Sequence, residues 1–289
     1  MHHQSPTHRS ISPSARGLAE IHWHDAVVDG RRVPYGTAGS GAPVLFLHGF
    51  GLSPRIYASA VERLAATGVQ VYAPVLPGFA GTDALPPEEH GFSGYADWVA
   101  SFVGALGIDA PVTLVGHSFG GGVALASTER LEAQVSQLVL VNSVGGAAWE
   151  PDGLVRHLRE RPLWRWGVSA AVDAVLARSP SSALAAITGD TLRNAIRNPA
   201  GLWRIGELAR TADLRDTAAS VARRGVPTAM VWSHGDSFIP QASFRSLRNA
   251  LSDPRVHTVQ GCHGWLIGDP DGFGRAMTTV LRPPLSVAV

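Results

Sequence analysis

The chain has 289 residues, of which 45% are hydrophobic and only 16% are charged, and its formal net charge is +1. Such a composition is typical of a globular protein with a large core, and it lacks the surplus of basic residues that nucleic-acid binding requires. No apolar run approaches the roughly 20 residues that cross a bilayer, so we expect neither a nucleic-acid partner nor stable membrane insertion. All 24 basic residues are arginine, a bias typical of proteins from high-GC bacteria.

The two ends of the chain and its single cysteine favour a cytoplasmic protein. Residues 1–20 are rich in His, Ser, Pro and Arg and lack the apolar core of a secretory signal. We expect a flexible tail there and a second one over residues 284–289. Cys262 is the only cysteine, which excludes an internal disulfide and a metal site built from several cysteines.

The predicted strands begin with a hairpin, in which residues 21–28 and 32–36 are joined across the turn sequence Asp29-Gly30. Six short apolar runs follow, each typical of a strand buried on both faces of a parallel sheet. They cover residues 43–47, 69–76, 112–116, 138–142, 229–232 and 256–259. Helical stretches separate these runs, and one of them should begin at Ser93. The alternation predicts an α/β fold whose mostly parallel sheet has helices on both faces.

The alternation breaks between residues 147 and 213. Arginines are interleaved there with leucines and tryptophans in a pattern typical of helices, and no strand is apparent. We predict a helical cap inserted between two parts of the core, 21–146 and 214–283, above the carboxyl edge of the sheet. Its tryptophans are expected mainly in the interior, with one or two lining a substrate pocket; they are Trp149, Trp164, Trp166 and Trp203.

The strongest local motif is Gly116-His117-Ser118-Phe119-Gly120, which follows an apolar strand and precedes a helix rich in small residues. A serine on such a tight turn raises its hydroxyl above the sheet, and glycines flank it because side chains would collide there. The helix behind it offers amide groups and a positive dipole end to a developing oxyanion. This context, more than the motif itself, favours a nucleophilic serine.

From about Ile21 to Leu281 the chain resembles the α/β-hydrolase fold family. The resemblance implies a twisted sheet of about eight strands and the chain order serine, acid, histidine. The sequence His48-Gly49-Phe50-Gly51 resembles the family's oxyanion loop, which implies that the backbone N–H groups of Phe50 and Phe119 hold the oxyanion. Residues 77–83 resemble a turn that is a structural marker of the family.

The acid and the base are assigned from two loops that follow late strands. Asp236 is the only carboxylate in the loop after residues 229–232, and its nearest rivals are Glu132, Asp213 and Asp216. His263 lies in the loop after residues 256–259. Ser118 would be the nucleophile, His263 the general base, and Asp236 the carboxylate that orients the imidazole and stabilises its cation.

These assignments predict a serine hydrolase that cleaves an ester of a hydrophobic acyl or aromatic small molecule through an acyl-enzyme. Candidate pocket residues are His48, Trp149, Trp164 and Trp265. No cofactor and no metal is implied, and we expect a monomer or a small homo-oligomer. The same triad would suit a carbon–carbon bond hydrolase of ring-cleavage products, a thioesterase or a biosynthetic lyase or cyclase. The alternative from another class is a slow-turnover ligand receptor.

Overall fold

The computed structural model describes residues 19–147 and 198–281. Within these ranges the sheet has eight strands, namely β1 (His22–Val28), β2 (Arg31–Gly39), β3 (Ala42–Leu47), β4 (Val69–Pro74), β5 (Val112–His117), β6 (Val135–Val141), β7 (Thr228–Ser233) and β8 (Arg255–Val259). The helices described are α1 (Ala58–Ala65), α2 (Phe92–Ala105), α3 (Phe119–Leu131), α4 (Pro199–Arg210), α5 (Arg215–Arg223), α6 (Gln241–Ala250), α7 (Trp265–Gly268) and α8 (Pro270–Val280). A short 3-10 turn, Pro54–Tyr57, precedes α1.

The strands lie side by side in the order β1-β2-β4-β3-β5-β6-β7-β8. β1 and β2 form the predicted hairpin, and β2 also pairs antiparallel with β4. All other neighbouring strands pair in parallel, which confirms the predicted α/β architecture. Because parallel strands point the same way, the loops that follow β3 to β8 leave the sheet at one edge, the carboxyl edge.

Helices cover both faces of the sheet, and each face has its own core. Side chains of α2, α3, α5 and α6 pack against one face, and those of α1 and α8 pack against the other. Successive strand residues point into opposite cores, as do Leu45 and Phe46 of β3, which are both fully buried. The central strands are therefore rich in apolar residues on both sides of the sheet.

Two predicted details are wrong. The run at residues 256–259 predicts a strand buried on both faces, but β8 lies at the edge of the sheet and Val256 is 36% exposed. An edge strand has a neighbour on one side only, so its cover is incomplete. The helix expected from Ser93 begins instead at Phe92, because its first hydrogen bond runs from the Tyr95 amide to the carbonyl of Gly91.

The predicted cap and tails lie largely outside the described residues, which exclude 148–197, 1–18 and 282–289. The described remainder of the cap contains α4. This helix packs over the loop that follows β4, since a Cβ added to Gly78 would lie 2.7 Å from Cδ1 of Ile205. Among the helices described, none is both long and apolar enough to cross a membrane.

The two ends of the inserted segment are joined to each other. Gly145 and Asp213 form an isolated parallel bridge. The amide of Leu214 also donates to the carbonyl oxygen of Gly145 over 2.7 Å. Residues 145 and 213, which flank the inserted segment, therefore lie side by side just beyond the carboxyl end of β6.

Candidate active site

Ser118 occupies the turn between β5 and α3 in a strained conformation. Its φ is +55° and its ψ is −118°, a region that non-glycine residues enter at a cost of about 1–3 kcal/mol. The flanking glycines are required by close approaches of the backbone. A Cβ on Gly116 would lie 2.2 Å from the carbonyl oxygen of Gly120, and one on Gly120 would lie 2.2 Å from that of Leu47. The packing of the backbone therefore fixes the direction in which the Ser118 side chain leaves the turn.

Three side chains from three different loops meet at the carboxyl edge. The Oγ atom of Ser118 lies 2.8 Å from Nε2 of His263, and Nδ1 of His263 lies 2.9 Å from Oδ2 of Asp236. An ionised carboxylate can only accept, so Nδ1 of the neutral imidazole carries the proton and Nε2 is left to accept from the Ser118 hydroxyl. This donor order allows the imidazole to remove a proton from the serine.

The carboxylate of Asp236 is held in its ionised form by several hydrogen bonds. Burial raises its pKa, but the charge and hydrogen bond of His263, the amide of Ile239 and the side chain of Asn142 outweigh burial and leave the pKa below its ordinary value. The amides of Phe238 and Ile239 donate to Oδ1 over 2.8 and 2.9 Å, and Nδ2 of Asn142 donates to Oδ2 over 2.6 Å. Asp236 is therefore suited to stabilise an imidazolium at His263.

The imidazole of His263 lies between two other rings. The ring of Phe238 stacks on it with centroids 4.8 Å apart and an interplanar angle of 30°. The ring of His117 lies 4.9 Å away. Only 11% of the His263 side chain and 1% of the Asp236 side chain are exposed. These contacts restrict the ring to one orientation, which keeps Nε2 directed at the serine.

The loop after β3 lies directly beside Ser118, since a Cβ added to Gly49 would be 3.4 Å from the Cβ of the serine. His48, which precedes this glycine, is fully buried. Its Nε2 accepts from the amide of Leu76 over 3.0 Å, so Nδ1 of the neutral ring donates to the carbonyl oxygen of Gly49 over 2.9 Å. A trans peptide directs its C=O and the next N–H in opposite directions. His48 therefore sets the direction of the Phe50 amide.

Phe119 supplies the second predicted oxyanion amide. It is the first residue of α3, and the first amides of a helix have no carbonyl partner within the helix. Its ring is fully buried and lies edge-on to the ring of Tyr95, with ring centroids 5.1 Å apart. The positive end of the α3 dipole and the Phe119 amide thus lie next to Ser118 in the chain.

The rival carboxylates lie at the surface, away from this arrangement. Asp213 forms an ion pair with Arg215 at 2.8 Å, with 40% of its side chain exposed. Glu132 follows the end of α3 and Asp216 lies in the first turn of α5, and both residues are exposed. Asp236 is the carboxylate that contacts the imidazole of His263.

Two of the four candidate pocket residues are internal. His48 is fully buried and Trp265 is 4% exposed in the core beneath the sheet, so both support the loops of the site and neither forms a pocket wall. Trp149 and Trp164 lie outside the described residues, as does Trp166. Trp203 of α4, expected in the interior of the cap, is 61% exposed.

Asn142 is a residue of the site that the sequence motifs miss. It follows β6 at a φ of +43° and is fully buried. Its Nδ2 donates to Asp236 and also to Oγ of Ser233, over 2.8 Å, while its Oδ1 accepts from the indole of Trp265 over 3.0 Å. One amide side chain thus connects Asp236 to Trp265, which follows the loop of His263. A polar residue at the end of an apolar strand is the signal that could have identified it.

A sequence profile described as the alpha/beta hydrolase family matches residues 44–276. This match begins within β3 and includes the strands that follow it. It also includes every residue of the arrangement around Ser118. The chain therefore belongs to the alpha/beta hydrolase family.

The individual relatives have low sequence identity to this chain. The chain is 27% identical over 258 residues to a candidate non-heme haloperoxidase of Mycobacterium phage D29, across 86% of this chain and 91% of that protein. It is 26% identical over 262 residues to a pimeloyl-acyl-carrier-protein methyl ester esterase of Aromatoleum aromaticum, across 83% and 98%. The crystal structure of a bromoperoxidase from Bacillus anthracis superposes with a TM-score of 0.72 at 18% identity, covering 91% of this chain and 100% of that chain, and supports the fold alone.

Proposed function

We propose that the chain is a serine hydrolase that cleaves an ester of a hydrophobic acyl or aromatic small molecule through an acyl-enzyme. The observation that carries the proposal is the continuous hydrogen-bonded series from Ser118 Oγ through His263 to Asp236, at 2.8 and 2.9 Å. A serine hydroxyl becomes nucleophilic when a neighbouring imidazole takes its proton, and a carboxylate on the far nitrogen stabilises the resulting cation.

In the first half of the reaction, Oγ of Ser118 attacks the ester carbonyl carbon while Nε2 of His263 takes the hydroxyl proton. The carbonyl π bond opens, and the oxygen becomes an oxyanion that accepts from the amides of Phe50 and Phe119. Collapse of this intermediate breaks the bond to the alcohol oxygen, which takes the proton from His263 and leaves as the alcohol. Ser118 then carries the acyl group.

In the second half, a water molecule attacks the acyl carbon and gives its proton to Nε2 of His263. The second tetrahedral intermediate collapses with return of that proton to Oγ of Ser118. The carboxylic acid is released, and the enzyme is restored with no net change in protonation. Asp236 stays ionised throughout and accepts from Nδ1 of the imidazole in each step.

Two observations favour a hydrophobic ester. Phe50 and Phe238 are half-buried residues; Phe50 belongs to the loop after β3 that lies beside Ser118, and the ring of Phe238 stacks on His263. Apolar surface at a reactive site favours an apolar ligand. The similarity to a methyl ester esterase over most of both chains supports an ester as the bond that is cleaved.

The proposal is tested with nitrophenyl esters of increasing acyl length and with a fluorophosphonate label. We expect turnover that rises with chain length from acetate and labelling of the wild-type protein. Both should fall by at least about a thousandfold in Ser118→Ala. Ser127→Ala is the matched control, because Ser127 lies on α3 and its buried hydroxyl has no hydrogen-bond partner within the described residues.

Labelling and turnover are measured separately because they answer different questions. Loss of labelling in Ser118→Ala with no turnover on any ester would point to a ligand receptor. Faster cleavage of a thioester or of a ring-cleavage ketone would change the substrate class and leave the role of Ser118 intact. Retention of full ester hydrolysis by Ser118→Ala would refute the proposal.

A further inference from the structure

His117 is a buried histidine beside the nucleophile that the proposed reaction does not use. Its exposed fraction is 2%, and both of its ring nitrogens have a partner. Nε2 lies 3.0 Å from the backbone carbonyl oxygen of His263, and Nδ1 lies 2.9 Å from the hydroxyl of Tyr57. The residue therefore joins two segments that are far apart in the chain.

The partners of His117 determine its tautomer. A carbonyl oxygen can only accept, so Nε2 must carry a proton and donate it to His263. Burial, with a further contribution from the charge of His263, lowers the pKa of His117 to about 3, so the ring is neutral at neutral pH. Nδ1 is then unprotonated and accepts from the hydroxyl of Tyr57.

Tyr57 extends this series to the loop that carries the first oxyanion amide. Its hydroxyl oxygen accepts from the amide of Gly49 over 3.2 Å while its proton is donated to His117. Tyr57 is fully buried, and burial raises the pKa of its phenol although the Gly49 amide opposes the rise. The phenol stays protonated, so every donor in the series has one acceptor.

The resulting series runs from the Gly49 amide to Tyr57, then to His117, and ends on the carbonyl of His263. Gly49 is also held from its other side, because its carbonyl accepts from His48. A buried network of neutral groups in which every member is satisfied has one favoured geometry. The series thus connects the oxyanion loop, the turn of the nucleophile and the backbone of the base.

We infer that Tyr57 and His117 are a positioning pair that sets the distance between the base, the nucleophile and the Phe50 amide, a role that rests on the proposed hydrolase function. Both side chains are buried, so we expect the pair to contact neither the acyl group nor the leaving group. Its loss should therefore lower kcat and leave KM almost unchanged, since it disturbs the reacting groups and not the binding surface.

The test compares Tyr57→Phe with Tyr95→Phe in the full-length protein. Both substitutions remove one hydroxyl from a buried tyrosine, and Tyr95 donates to the carbonyl oxygen of Pro77, outside the series. We expect Tyr57→Phe to lower kcat on a nitrophenyl ester about tenfold, with KM within about twofold, because two buried hydrogen bonds are lost. The rate of labelling by the fluorophosphonate should fall by the same factor. Tyr95→Phe should stay within about twofold of wild type in both rates.

A kcat for Tyr57→Phe that matches that of Tyr95→Phe would overturn the inference. If Ser118→Ala abolishes turnover in the same assays, the hydrolase function stands and only the positioning role fails. If turnover survives in Ser118→Ala, the hydrolase function fails, and the positioning role fails with it.

A second measurement uses the wild-type protein and needs no variant. Nitrogen-15 NMR of the wild-type protein with labelled histidine distinguishes the two neutral tautomers from the imidazolium. We expect His117 to be neutral with its proton on Nε2 from about pH 5 to pH 8, because its Nε2 faces a carbonyl and its Nδ1 faces a hydroxyl. A proton on Nδ1, or on both nitrogens, would break the series at Tyr57 and refute the inference.

Discussion

Replacing His117 with glutamine should make the folded protein less sensitive to acid. Burial, together with the charge of His263, lowers the pKa of His117 to about 3 from an ordinary value of 6.5. The unfolded chain therefore takes up a proton at this residue at a pH where the folded chain does not. The stability that comes from neutral His117 is complete above about pH 6.5 and is lost as the pH falls toward 3.

The size of this effect follows from the two pKa values. One proton that only the unfolded state binds changes the free energy of unfolding by about 1.4 kcal/mol for each pH unit. Between about pH 7 and pH 4.5, the wild-type protein should lose about 2 to 3 kcal/mol through His117 alone. Glutamine has an amide that can donate and accept but does not titrate, so His117→Gln escapes this loss.

The assay is urea unfolding of both proteins at the two pH values, followed by tryptophan fluorescence. The difference in free energy of unfolding between the two proteins should change by about 2 to 3 kcal/mol in favour of His117→Gln between about pH 7 and pH 4.5. The same substitution at His22, an exposed residue of β1, controls for the loss of a histidine. Parallel pH dependence of wild type and His117→Gln would refute the argument from burial.

Two further predictions concern the site and its support. Gly120→Ala should destabilise the protein by about 3 kcal/mol or more in urea unfolding, because the new Cβ would lie 2.2 Å from the backbone oxygen of Leu47. The control is Gly104→Ala in α2, where the added Cβ meets open space. This substitution should stabilise the protein by up to about 1 kcal/mol. Equal effects of the two substitutions would contradict the steric explanation. Asn142→Gly should lower kcat on a nitrophenyl ester about tenfold, because it removes a donor to Asp236 while tolerating the positive φ. An unchanged kcat would mean that the backbone donors to that carboxylate suffice.

Much of the fold was predictable because its central strands are buried on both faces. Residues 43–47 are apolar without interruption, residues 112–116 are apolar apart from Thr113, and the two runs form the adjacent parallel strands β3 and β5. The edge strand β8 is only partly buried, since exposure of Val256 costs little where no neighbouring strand covers it. β8 also contains His257 and Thr258, two polar residues with no counterpart in the central run 43–47.

The residues of the site were predictable to the extent that they occupy loops after strands. Ser118, Asp236 and His263 could be assigned from their order and their flanking strands, and the structure brings them into contact. The series through Tyr57 and His117 could not, because it depends on which side chains meet at about 3 Å across three loops. Sequence spacing gives the edge of the sheet at which a residue lies, but it does not give the partner of its side chain.

The bridge between Gly145 and Asp213 bears on how this protein could diversify. Because the chain departs and returns at hydrogen-bonded neighbours, the sheet is insensitive to how many residues lie between them. Doubling the length of such a loop adds only about 0.6 kcal/mol of closure entropy. Insertions and deletions can therefore accumulate in that stretch while the ends of β5, β7 and β8 hold the hydroxyl, the carboxylate and the imidazole in place. The length of the inserted segment and the geometry around Ser118 can thus change independently of each other in one chain.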